Sequence, residues 1–82
     1  VWFAYFEPYS WERHLELIGF ANEFEHVDVH TLGQTLDGRD MTLLEITNAE
    51  SQLPREQKKK IWLIARQHPG ETMAEWFVEG FL

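Results

Sequence analysis

Three observations predict an α/β segment. "IWLIA" (Ile61 to Ala65) is apolar on both faces, the pattern of a central strand covered from both sides. "HVDVHTLGQT" (His26 to Thr35) alternates, with Val27 and Val29 on one face and His26, Asp28 and His30 on the other, the pattern of a half-buried strand. Apolar residues recur at helical spacing in "PYSWERHLELIGFANE" (Pro8 to Glu23) and again beyond Thr72. With 82 residues, one small domain is the upper bound.

The elements follow in order. "VWFAYF" (Val1 to Phe6) reads as an aromatic-rich strand ended by Pro8. The helix after it takes Ser10 as N-cap and Glu12 in its first turn, where a negative charge suits the dipole. Trp11, Leu15 and Ile18 form its apolar stripe, and Gly19 and Asn22 weaken its end. "LDGRD" (Leu36 to Asp40) is a turn in which Gly38 is free to take positive φ. It joins the alternating strand to "MTLLEIT" (Met41 to Thr47) as a hairpin. "NAESQLPREQ" is a polar loop that leads to the "IWLIA" strand. In the last helix Thr72 and Glu75 have capping-box spacing, and Met73, Trp76, Phe77, Gly80 and Phe81 make one apolar stripe.

The sequence opens without an initiator Met and stops within that helix. Four Trp and six Phe in so short a chain imply surfaces made to be covered. The expectation is a segment of a larger domain, unstable or self-associating alone because a two-sided apolar strand needs a layer on each face.

Composition narrows the function classes. A net charge of −7 argues against a nucleic-acid-binding face. Lys58-Lys59-Lys60 reads as a solvated end that keeps the adjoining strand soluble. No apolar run approaches the roughly 18 residues of a membrane span, and the start has no basic region of the kind that opens a signal peptide. The absence of cysteine excludes thiol catalysis and agrees with a reducing compartment.

The candidate site is His68 and Glu71, separated by the turn-forming Pro69-Gly70. The spacing alone reads first as a turn histidine followed by a glutamate favouring a helix start. Position adds a second reading. The pair lies at the carboxyl end of the most apolar strand, where open α/β sheets place their sites. The turn can bring both side chains together, and zinc accepts both imidazole nitrogen and carboxylate oxygen. Two ligands do not complete a catalytic zinc, which keeps three and a water. His26, Asp28 and His30 share a face, but the outer two stand about 13 Å apart along a strand, so one metal cannot easily take all three. They read as the polar side of an amphipathic strand. Asp37-Gly38-Arg39-Asp40 reads as turn chemistry before a charged binding loop, and His14 beside Arg13 needs no special role.

These residues carry a resemblance. "ARQHPGETMAEW" resembles the first zinc-binding motif of the zinc metallocarboxypeptidases, in which a His-x-x-Glu pair follows a buried strand and opens a helix. "HTLGQTLDGRDMTLLEIT" resembles the family's hairpin, with its Leu-Gly-x-Thr and Gly-Arg turn. "FAYFEPYSWERHLELI" and the His-Pro-Gly-Glu spelling resemble the cytosolic carboxypeptidase branch. The resemblance implies a fragment of a mixed-sheet domain with helices packing on the sheet. Residues 1–9 would end a linker or a preceding β-sandwich domain, and residues 10–82 would be the N-terminal part of the catalytic domain, truncated at its C-terminal end.

It further implies a cytoplasmic protein that uses Zn2+, held by His68 and Glu71, to hydrolyse the C-terminus of a peptide or protein substrate. In the family a third ligand His, a general-base Glu and a carboxylate-binding Arg come later in the chain. No catalytic or substrate-binding residue can therefore be assigned among these 82, and the segment alone is expected to be inactive. No nucleic-acid or membrane partner is implied. A related zinc deacylase of N-acyl amino acids, or an interaction module that keeps the fold without the chemistry, are the alternatives.

Overall fold

A computed structural model describes every residue from Val1 to Leu82. Helix α1 spans Trp11–Ala21, strands β1 and β2 span Val27–Gln34 and Asp40–Ile46, a single 3-10 turn covers Arg55–Gln57, and helix α2 spans Thr72–Phe81. The architecture is α/β.

Helix α1 begins where the sequence places it. Ser10 is extended, and its Oγ accepts a hydrogen bond from the Arg13 amide at 3.1 Å. That satisfies one of the amides a helix start leaves open. The helix runs through Gly19 and is capped at Asn22. Its buried residues are Leu17 and Ala21, whereas Leu15 is exposed. The expected stripe of Trp11, Leu15 and Ile18 is therefore rotated. The side turned inward also carries His14, which is half-buried.

The hairpin forms as expected. Val27 pairs with Ile46, Val29 with Leu44 and Thr31 with Thr42, all antiparallel. Val27 and Val29 are half-buried and Asp28 and His30 are exposed, as alternation requires. The ladder slips between Thr31 and Gly33, which leaves Leu32 as the extra residue of a bulge. Gly38 takes φ +75 in the turn, a conformation that costs glycine nothing. Arg39 leaves that turn to lie over the Trp11 ring, 4.8 Å from its centroid. The charged turn thus serves hairpin geometry and docks the hairpin on α1.

Two expected strands are absent. Neither residues 1–6 nor residues 61–65 join the sheet, which contains β1 and β2 alone. Trp2 is 99% exposed and Ile61 92% exposed. A strand exists through its ladder, and side-chain pattern gives a segment only the capacity to pair. In this chain no strand pairs with either segment.

The capping box at Thr72 is absent as well. Glu71 is the N-cap, without a side-chain capping bond. Thr72 Oγ1 instead donates to the Glu7 carbonyl at 2.9 Å, beside Trp76 Nε1, which donates to the same oxygen at 3.3 Å. The lead-in segment is thereby laid along α2.

What joins the helices is mainly polar. Arg13 grips the Glu79 carboxylate with two donors, Nε at 2.9 Å and Nη2 at 2.5 Å, and its guanidinium lies 4.2 Å from the Trp76 ring centroid. The Tyr9 hydroxyl donates to the same carboxylate at 2.6 Å, with its ring edge-on to Trp76. Burial, followed by that bond to Glu79, pushes the Tyr9 phenol above its usual range. The bonds from Arg13 and then Tyr9 hold Glu79 below the usual carboxylate range. Of the apolar stripe of α2, Trp76 joins this clamp, whereas Met73, Phe77 and Phe81 are exposed.

The chain does not enclose a core of its own. Its accessible surface is 7415 Å², whereas a compact monomer of this mass shows about 5,200 Å². Its radius of gyration is 15.0 Å, against about 12 Å for a compact domain of this length.

Two outcomes follow. The isolated 82-residue segment should melt without a sharp transition and sediment with concentration-dependent association; a monomer with one cooperative melt would contradict this. Glu79→Gln in the full-length protein tests the clamp. Because the folded pKa of Glu79 lies below the ordinary 4.5, its contribution is fully present above that value and is lost as pH falls through the depressed one. The gap in melting temperature between wild type and Glu79→Gln should be open at neutral pH and close in acid. A gap independent of pH would remove the ionic clamp from the account.

Candidate metal centre

The pair singled out in the sequence comes together. Residues 68–71 form a turn closed by the Glu71 amide donating to the His68 carbonyl at 3.0 Å. The Glu71 carboxylate folds back over it. Oε2 accepts from the His68 amide at 3.2 Å, and Oε1 lies 3.0 Å from His68 Nδ1. A carboxylate only accepts, so Nδ1 carries the proton. These bonds, the side-chain bond first, hold the Glu71 carboxyl below the usual carboxylate range. Both side chains open to solvent, at 72% exposure for His68 and 48% for Glu71.

This donor set fits zinc. Two donors of a tetrahedral zinc at about 2.0–2.2 Å stand roughly 3.4 Å apart, so the pair needs only a small opening. A cation held between them would take the place of the proton they share, as metal binding to imidazole and carboxylate does generally. No group of three or more His, Asp or Glu side chains gathers anywhere in the chain. The pair can thus supply two ligands and no more.

The turn is braced from beneath. Arg66 stands two residues before His68 and holds φ +52, the one non-glycine residue with positive φ. Its Nε donates to the Pro69 carbonyl at 3.0 Å, and its Nη1 reaches the Tyr9 carbonyl at 2.9 Å and Glu75 Oε2 at 2.6 Å. Glu75 is buried, and its other oxygen lies 2.5 Å from His14 Nδ1. This is why His14 turns inward on α1. Glu75, expected to cap α2, is instead shared by an arginine and a histidine from two other segments.

The remaining candidates do not assemble into a site. His30 Nε2 lies 3.4 Å from Glu45 Oε2 across the hairpin, and Arg55 pairs with the same carboxylate. His26, Asp28 and His30 form a polar strand face. Sequence reading missed Arg66, His14 and Glu75 as a group, and no local signal marks them: their contacts join residues 9 to 61 positions apart.

The sequence profile of the zinc carboxypeptidases matches residues 17–82, which include the His68–Glu71 turn. The chain belongs to the zinc carboxypeptidase family. It is 49% identical over 81 residues to an uncharacterized protein of Zymomonas mobilis, covering 99% of this chain and 19% of that protein. It is 40% identical over 86 residues to human cytosolic carboxypeptidase 2, covering 98% of this chain and 9% of that one. Its fold superposes on the crystal structure of a metallo-carboxypeptidase from Burkholderia cenocepacia with a TM-score of 0.82 and 53% identity, over 93% of this chain and 19% of that one. The chain thus spans a fifth or less of the length of these relatives. The family implies zinc. No helix is long and apolar enough to cross a membrane.

Proposed function

We propose that the full-length protein is a zinc-dependent metallocarboxypeptidase of the cytosolic branch, acting in the cytoplasm on the C-terminus of peptides or proteins. Residues 1–9 end a linker or a preceding domain, and residues 10–82 open the catalytic domain. The observation that carries this reading is the convergence of His68 and Glu71 on one turn, within the stretch that matches the family. Likeness to the human cytosolic enzyme over nearly the whole chain supports the branch.

In this reading His68 and Glu71 hold the metal and do nothing else. The chemistry a zinc ion supplies when bound is Lewis-acid polarisation of the scissile carbonyl and acidification of water. Glu71 is already ionised at neutral pH, because its bonds to His68 favour the charged form. His68 would offer the metal a neutral ring nitrogen, since imidazole must be deprotonated at the atom that binds. The turn that carries both opens a helix, and backbone held in this way keeps ligands in place better than a free loop does. A third ligand and a general base come from residues outside these 82. The uncovered faces of residues 61–65 and of α2 are the surfaces the rest of the domain would pack on.

Metal analysis of the full-length protein should give one zinc per chain, and His68→Ala and Glu71→Ala should each retain less than about a tenth of it. Wild type should release the last residue of a peptide with a free C-terminus and leave the amidated peptide intact. Full zinc occupancy in both variants would end the assignment.

A further inference from the structure

We propose that Arg66 is the positioning residue of the metal-binding turn, and that through it Glu75, His14 and the Tyr9 carbonyl set the geometry of the two ligands. The inference rests on the reading of His68 and Glu71 as a ligand pair. Arg66 touches neither ligand side chain, so its effect passes through the backbone.

The geometry is specific. Pro69 lies between the ligands, and the bond from Arg66 Nε to its carbonyl fixes the peptide plane that directs the chain from His68 toward Glu71. Glu75 stands four residues beyond Glu71, one turn into α2. The bond from Arg66 Nη1 to Glu75 therefore fixes the helix that Glu71 caps. One guanidinium holds the middle of the turn and the helix at its far end. Its third bond, to the Tyr9 carbonyl, references both to the lead-in segment 57 residues away. Arginine suits this task because its rigid planar fork presents several donors at fixed angles, which an ammonium cannot do.

Two further observations point the same way. A side chain at φ +52 costs about 1–3 kcal/mol that glycine would not incur. The conformation aims the Arg66 side chain back beneath its own turn, so its bonds offset the strain. Moreover, Glu75 has a second partner, His14 Nδ1. Nothing else in its surroundings competes for the oxygen that Arg66 uses, and no buried side-chain polar atom in the chain lacks a partner.

Arg66→Gly in the full-length protein is the direct test, because glycine keeps the backbone conformation and removes all three bonds. Zinc affinity is read by competition with a chromophoric chelator, and ligand geometry by the visible absorption of the cobalt-substituted protein. Arg66→Gly should bind zinc about 10- to 100-fold more weakly than wild type and show a shifted cobalt spectrum. Arg66→Lys should also weaken binding, since one ammonium cannot serve Pro69, Tyr9 and Glu75 together. Glu75→Gln, which keeps shape but loses the charge that anchors the guanidinium, should fall between it and wild type.

A residue that only held the helices together would lower the melting temperature and leave affinity and spectrum unchanged in the folded protein. That result in Arg66→Gly overturns the proposal; if Arg66→Gly does not fold, the same result in Arg66→Lys and Glu75→Gln overturns it. Wild type and His68→Ala separate the two readings. A wild type that binds no zinc overturns both. Zinc bound by wild type, lost in His68→Ala and unaltered in the Arg66 and Glu75 variants overturns only the role of Arg66.

Discussion

The carboxylate of Glu75 is the constraint on which the arrangement depends. It is the one charged side chain buried in the chain. A buried carboxylate costs several kcal/mol unless partners satisfy it. His14 and Arg66 each take one of its oxygens. Satisfying it therefore fixes the rotation of α1, which must present His14, and the path of the chain before His68, which must present Arg66. The left-handed backbone at Arg66 and the inward turn of His14 each bring a partner to that one buried charge.

The helices and the lead-in segment are consequently held by oriented polar bonds, while the apolar surface faces outward. This reverses the usual economy of a small domain, in which burial of apolar area supplies most of the stability. Arg13 and Glu79 form the solvent-facing end of the clamp, Tyr9 is buried beside them, and Glu75 is its other buried member. Such bonds specify geometry more than they add stability. They leave residues 61–64 and Met73, Phe77 and Phe81 exposed, and the similar metallo-carboxypeptidase from Burkholderia cenocepacia is matched over only 19% of its length.

What the sequence made legible was local. Ser10 caps α1, Gly38 turns the hairpin, Val27 and Val29 alternate with Asp28 and His30, and His68 and Glu71 meet, because each depends on residues within a few positions. The failures have one physical origin. "VWFAYF" and "IWLIA" have strand-forming side chains, but pairing needs neighbours that pattern alone does not supply. Thr72 and Glu75 have capping spacing, yet both side chains have better partners elsewhere: Glu7 for one, His14 and Arg66 for the other. Leu15 fits a helical stripe, and it lost its place when the charge of Glu75 drew His14 inward. Partners distant in sequence, present for Thr72, Glu75 and His14 and missing beside the two expected strands, decided each of these points. Arg66 was invisible for the same reason, since nothing near it in sequence announces a positive φ.

The proposed task of the turn at residues 68–71 is to hold a metal in a frame set by Arg66 and Glu75. X-ray diffraction from crystals of the full-length protein, collected on both sides of the zinc absorption edge, tests it most directly. The account predicts one anomalous peak about 2.0–2.2 Å from a His68 ring nitrogen and from the Glu71 carboxylate, with the Arg66 guanidinium still on the Pro69 carbonyl and on Glu75. A zinc peak elsewhere, with His68 and Glu71 uncoordinated, would contradict it.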